Sequence, residues 1–295
     1  MKAGLLLLLR LALPVIPKLT VRSSMRFALV IVTIAVLGPV GCVSTMPSPT
    51  TPARAQRQLP IQARWQIQYS GDLLLDLDVD VFNLDLFETS AETIAALHRR
   101  EIFVMCYFSA GSREDWRPDA MLFPPEVLGK ELAEWPGERW LDIRHIEALK
   151  PIMQARLDLA VSKGCDGVDP DNVDGYKNDT GFLLTAEDQL SYNIFLAEAA
   201  HERGLLIGLK NDLEQITDLL PYFDWIINEE CFSYAECELL LPFVKAGKPV
   251  FVIEYELDPS AFCAQALQMN LNALRKHREL DAYRTDCHAW LPESR

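Results

Sequence analysis

Eight short runs of apolar or alternating residues recur between positions 65 and 284 of this 295-residue chain, and most gaps between them carry helical periodicity. The runs are 65–69, 78–84, 103–108, 167–171, 205–210, 225–228, 250–255 and 282–284. Segments 91–100, 146–163, 186–203, 212–220, 234–246 and 259–278 space their apolar residues as helices do. Thr185 with Asp188 reads as a helix start, and Gly164, Gly204 and Gly247 read as helix stops. Eight strand–helix units predict an α/β fold of one domain, a (β/α)8 TIM barrel spanning 61–295. The third unit carries a long insertion, 109–144, containing Trp116, Trp135, Trp140 and several prolines. A doubly wound open sheet is the alternative, weakened because no GxGxxG follows the first strand.

The first 60 residues differ from the rest. They contain no Asp or Glu, whereas all 42 acidic residues follow them. Apolar runs at 5–16 and 27–40 have cationic flanks, and the second leads into Val40-Gly41-Cys42. This is the pattern of an export signal over 1–42. Cys after Gly adds a bacterial lipoprotein reading, with Cys42 lipidated, although Pro39 stands where a lipobox has Leu. Plain secretion and a retained N-terminal anchor remain alternatives, and Met25 is a candidate true start. Segment 43–60 is rich in Ser, Thr, Pro, Ala and Arg and reads as a flexible linker. The expected location is extracytoplasmic, as an envelope lipoprotein or a secreted protein, with membrane contact only through this segment.

Beyond residue 60 the balance is 21 basic against 42 acidic residues, a formal charge of −21. Such a surface repels nucleic acid and attracts cations, and it also keeps a domain soluble. Setting Cys42 aside leaves six cysteines, which can pair in an oxidising compartment. Cys106 and Cys165 lie in or beside strand patterns and read equally as buried thiols. Cys231, Cys237, Cys263 and Cys287 suit one or two bridges.

Six strand ends carry polar residues, where a barrel places its chemistry. They are Asn83-Leu84-Asp85, Tyr107-Phe108-Ser109, Asp169-Pro170-Asp171-Asn172 with Asp174 beyond, Lys210-Asn211-Asp212, Asn228-Glu229-Glu230 and Glu254-Tyr255-Glu256. One such end is explained by a cap or a turn; six together indicate a rim that binds or reacts. Glycosidic hydrolysis needs two carboxylates facing one cleft. Asp169 and Asp171 share a strand face, while Glu229 and Glu230 point opposite ways. Other chemistries lack their residues: there is no GxSxG, HExxH or phosphate-cradling glycine loop, and the calcium-loop match at Asp76, Asp78 and Asp80 fails at Val81 and Phe87. No metal or cofactor is expected. The scattered histidines read as surface or packing residues.

Five ordered motifs resemble glycoside hydrolase family 114, the endo-α-1,4-polygalactosaminidases. They are Cys106-Tyr107-Phe108-Ser109-Ala110-Gly111-Ser112, the stretch from Trp135 to Asp142, Gly167 to Tyr176, Gly208 to Asp212, and Asn228-Glu229-Glu230-Cys231. The resemblance implies cleavage of internal α-1,4 bonds in galactosamine-containing exopolysaccharide of the biofilm type. It implies Asp171 as nucleophile and Glu229 as acid/base, with retention of configuration. Asp169, Lys210, Asn211, Tyr107, Asp85, Tyr255 and Glu254 would contact the substrate. Lys210 would orient the acids by charge pairing, and a de-N-acetylated, cationic polymer suits the acidic domain. Trp116, Trp135, Trp140 and Tyr255 are candidate sugar platforms, with loop or core packing the alternative for each Trp. A non-catalytic surface polysaccharide-binding barrel and a hydrolase of another amino-sugar polymer stay open as alternative functions.

Overall fold

A computed structural model describes residues 59–290. The export signal, the lipidated Cys42, the start at Met25 and nearly all of the linker lie outside the described residues. Within them, no helix is long and apolar enough to cross a membrane.

The chain runs β1 (Trp65–Gln68), β2 (Val81–Asp85), α1 (Ala91–His98) and β3 (Phe103–Ser109). The insertion adds β4 (Ser112–Glu114), β5 (Leu128–Leu132) and β6 (Trp135–Leu141). Then come α2 (Ile146–Lys163), β7 (Gly167–Asp171), α3 (Ala186–His201), β8 (Leu206–Lys210), α4 (Ile216–Leu219) and β9 (Trp225–Glu229). The chain continues through α5 (Leu241–Lys245), β10 (Val250–Glu254), α6 (Pro259–Gln268), β11 (Asn272–Arg275) and β12 (Thr285–Asp286). Strands β1, β2, β3, β7, β8, β9, β10 and β11 pair in that order, all parallel, and β12 adds antiparallel to β11. This is the (β/α)8 arrangement, with the sheet nearly closed.

The seam between β1 and β11 is sealed by side chains rather than by a ladder. Asn272 Oδ1 accepts from the Ala63 amide at 2.9 Å, and its Nδ2 donates to the Ile61 carbonyl at 2.9 Å. Trp65 Nε1 donates to the Asn272 carbonyl at 3.0 Å. Further along, the fully buried Lys276 donates to Gln66 Oε1 at 3.1 Å and to the Asp281 carbonyl at 2.7 Å.

Alternation along each strand sorts residues into two cores. Trp65, Ile67, Val81, Phe103, Met105, Trp225, Ile227, Phe251, Ile253 and Leu274 fill the barrel. Their strand neighbours Phe82, Val104, Val168, Ile207, Ile226 and Val252 pack outward among residues of α2, α3 and α6. Two glycines make room for Trp225: a Cβ on Gly208 would stand 2.0 Å from its Nε1, and one on Gly167 2.6 Å from its ring.

Most elements match the sequence expectations, including the Thr185–Asp188 capping box that starts α3. The eighth strand differs. It is Asn272–Arg275, not 282–284, and the helix expected over 259–278 stops at Gln268. Asn270 takes φ 58°, a left-handed stop that Asn tolerates. Leu271 to Leu274 are then all buried, which suits a barrel strand and not a helix with a wet face. The expected helices over 212–220 and 234–246 are short, each opening with a 3-10 turn. The insertion is a three-stranded antiparallel sheet in the order β4-β6-β5.

Three disulfides join Cys106 to Cys165, Cys231 to Cys237 and Cys263 to Cys287. The first pair is therefore bridged rather than two buried thiols, tying β3 to the turn two residues before β7. Gly208→Ala should destabilise the fold by about 1–3 kcal/mol through overpacking against Trp225. Urea unfolding checks this: an unchanged midpoint would mean that Trp225 can move aside at no cost.

Candidate active site

The inward-facing residues become polar toward the C-terminal ends of the strands. There a cleft of about 590 Å³ opens, walled on one side by the insertion. Asp171 ends β7, Lys210 ends β8 and Glu229 ends β9, so three adjacent strands aim three charges at one point. Lys210 Nζ contacts Asp171 Oδ1 at 3.1 Å and Glu229 Oε2 at 2.9 Å. Because one nitrogen touches both, those oxygens lie no more than about 6 Å apart. The Tyr255 hydroxyl donates to Glu229 Oε1. Asn211 Oδ1 accepts from the Glu229 amide at 3.0 Å and from Asn228 Nδ2 at 3.2 Å, which steadies the end of β9.

The charges tune one another. Burial alone would lower the Lys210 pKa, but Asp171, Glu229 and Asp169 outweigh it and hold the ammonium protonated. Burial alone would raise Glu229, yet the Lys210 charge and the Tyr255 hydroxyl keep its carboxyl below the usual range. Asp169 lies a layer lower. It accepts from Asn83 Nδ2 at 2.7 Å and the Tyr69 hydroxyl at 3.2 Å, and burial pushes it up to about 6.

The structure therefore separates the expected site residues. Asp171, Glu229, Lys210, Asn211, Tyr107 and Tyr255 line the cleft. Tyr107 packs against Tyr69 as a tilted ring pair with centroids 4.4 Å apart. Asp169 is 1% exposed and supports the floor from below. Asp85 reaches the cleft wall, but its oxygens are held by Arg117 at 3.1 and 2.6 Å and by the Phe87 and Glu88 amides. Glu254 points out of the barrel, where it accepts from the Phe232 amide at 2.8 Å and the Ser233 hydroxyl at 2.7 Å. Strand alternation explains this placement, since Glu254 and the cleft-facing Tyr255 must diverge.

Other cleft residues stood within the strand-end runs and motifs of the sequence without being given a role. Glu138 on β6 accepts from the Ser112 hydroxyl and from Asn172 Nδ2 at 2.9 Å. Burial pushes it up to about 7, with Asp171 and Glu114 adding repulsion. Burial likewise pushes Asp174 to about 6. Asn172 adopts φ 60° and its carbonyl lies where a Cβ on Gly111 would sit, only 1.6 Å away, so position 111 must be glycine. The Asp-Pro-Asp-Asn run was a signal for Asn172, whereas nothing in local spacing marks Glu138.

A parallel barrel with two carboxylates sharing one ammonium at the strand C-termini is an arrangement that could serve glycoside hydrolysis. The chain belongs to glycoside-hydrolase family GH114, whose model matches residues 47–291. It is similar to Aspergillus fumigatus Ega3, solved in complex with galactosamine: 41% identity, TM-score 0.74, covering 80% of this chain and 99% of that one. The fold is shared with the glycoside hydrolase domain of PelA from Pseudomonas aeruginosa at 15% identity and TM-score 0.61, covering 76% and 98%. An uncharacterized protein of Deinococcus radiodurans is 27% identical over 256 residues, 76% of this chain and 82% of that protein.

Lys210→Met should remove the charge that depresses Glu229. With burial then dominant, the Glu229 carboxyl should titrate at higher pH than in the wild type. Carbon-detected NMR titration of that carboxyl reads the shift, and an unmoved midpoint would remove Lys210 from the account.

Proposed function

We propose that this glycoside hydrolase cleaves internal α-1,4 bonds in galactosamine-containing polysaccharide with retention of configuration. The observation that carries the reading is the Lys210 ammonium touching both Asp171 and Glu229. Retaining enzymes need their carboxyl groups about 5–5.5 Å apart, whereas inverting enzymes leave about 6.5–9.5 Å for a water. Asp171 attacks the anomeric carbon as Glu229 gives its proton to the departing glycosidic oxygen. The sugar is then held as an ester of Asp171. Glu229, now ionised, takes a proton from water, which attacks the same carbon and frees Asp171. Lys210 and Tyr255 keep Glu229 in the base form in the free protein, so the acid form is drawn from its protonated fraction. Lys210, Asn211 and Tyr255 position the pair.

Three features support a galactosamine polymer. The relative at 41% identity was solved with galactosamine bound. The cleft wall carries Glu138 and Asp174 besides the acids paired with Arg117, and the domain beyond residue 60 has twice as many acids as bases. Cationic chains are drawn to such a surface. Trp116 and Trp135, each about half exposed at the cleft, suit stacking against sugar faces along an extended chain. Three disulfides support action outside the cytoplasm, reached by the N-terminal export segment with lipidation at Cys42 or release.

Incubation with partly de-N-acetylated α-1,4-galactosamine polymer should yield short oligomers by mass spectrometry. Asp171→Asn and Glu229→Gln should each lower turnover by about 10²–10⁴-fold. Intact polymer that co-sediments with the wild-type protein would replace hydrolysis by a binding barrel. Azide separates the two roles on an activated aryl glycoside. Asp171→Ala should give the β-azide, by direct displacement of an α-linked leaving group, and Glu229→Ala the α-azide. The opposite pairing of products would exchange the assignments.

A further inference from the structure

The acids of the cleft differ in whether the protein supplies their counter-charge. Asp171 and Glu229 share Lys210. Asp85 and Glu114 share Arg117 at 2.6 and 2.7 Å. Glu138 is as buried as these, at 5% exposed, and lines the same cleft. Among the described residues no Lys, Arg or His forms an ion pair with it. Its donors are the neutral Ser112 hydroxyl and Asn172 amide, and both bond Oε1. The charged groups that act on it are Asp171 and Glu114, which repel its charge, and Arg117, which already holds two other carboxylates. Asp174 is a weaker case, because Lys210 and Lys177 both act on it.

A carboxylate removed from water with no cation beside it is costly, unless a ligand brings the cation. Trp140 lies two residues along β6 on the same face and also lines the cleft. Indole faces attract ammonium groups. We propose that Glu138 is the specificity determinant that selects the free-amine form of the hexosamine unit, its Oε2 receiving the sugar ammonium. This rests on the galactosamine reading above and adds a residue to it. An N-acetyl group in the same place is neutral and would leave the carboxylate without a counter-charge.

Binding can be measured without turnover in the Asp171→Asn protein by titration calorimetry. The probes are an α-1,4-linked galactosamine oligosaccharide and its fully N-acetylated counterpart of equal length. The Asp171→Asn protein should prefer the amine form. Adding Glu138→Gln should weaken the amine form by about tenfold or more, the scale of one charge-assisted hydrogen bond. Affinity for the N-acetylated form should stay within about twofold, which also reports that the cleft is intact. Adding Ser112→Ala instead removes a bond to the same carboxylate but keeps its charge, and should preserve the preference. A preference that survives Glu138→Gln, or an equal loss for both probes, overturns the role of Glu138 alone. Binding of neither probe by the Asp171→Asn protein overturns the galactosamine reading, and this inference with it.

Discussion

One buried ammonium organises the reactive end of the barrel. Asp171 and Glu229 sit on strands two apart and would repel across the cleft if left to themselves. Lys210, on the strand between them, touches both and reverses the sign of that interaction. A lysine suits the position because its charge is a compact point with three donors on a flexible stem. The same contact that sets the spacing of the carboxylates sets the ionisation of Glu229. Geometry and charge state therefore cannot be altered separately at this site.

The period of the strands makes this arrangement available. On β8 the inward residues are Leu206, Gly208 and Lys210; on β9 they are Trp225, Ile227 and Glu229; on β7 they are Gly167, Asp169 and Asp171. Each strand thus passes from small or apolar residues low in the barrel to charge at the rim. Trp225 fills the lower layer because two neighbours are glycine, so the large ring and the missing side chains belong to one packing solution. Above it, Asp169 takes hydrogen bonds from Asn83 and Tyr69 and forms a polar floor under Asp171. The insertion completes the cleft through Arg117, which ties β4 to the end of β2 by holding Glu114 and Asp85 together.

Much of this was legible in the residues, and the failures share a cause. Hydrophobic runs located seven of the eight barrel strands, since a strand buried on both faces announces itself as an apolar block. Strand β11 hid because Asn270 rather than glycine stops the helix before it, so the apolar spacing of α6 seemed to continue. Polar strand ends marked Asp171, Lys210 and Glu229, but proximity to a strand end does not say which face a residue takes or what already holds it. Alternation alone separates Glu254 from Tyr255. Asp85 could not be separated that way: it faces the cleft, and only the fold brings Arg117 onto its carboxylate. Glu138 lies in an antiparallel insertion whose register no local pattern discloses.

The net charge of the domain is a poor guide to what the cleft recognises. Four of its acids are already paired with Lys210 or Arg117, so they shape the cleft without presenting free negative charge. What distinguishes one ligand from another is the residue whose counter-charge the protein omits. A surface excess of acid draws in any polycation at long range and is screened by salt. A buried, unpaired carboxylate acts only at contact and on the particular group placed against it. The two effects operate at different distances, and under the proposed function they would fall on different residues: the exposed acids of the surface would gather a cationic polymer, and Glu138 would read one amine of it.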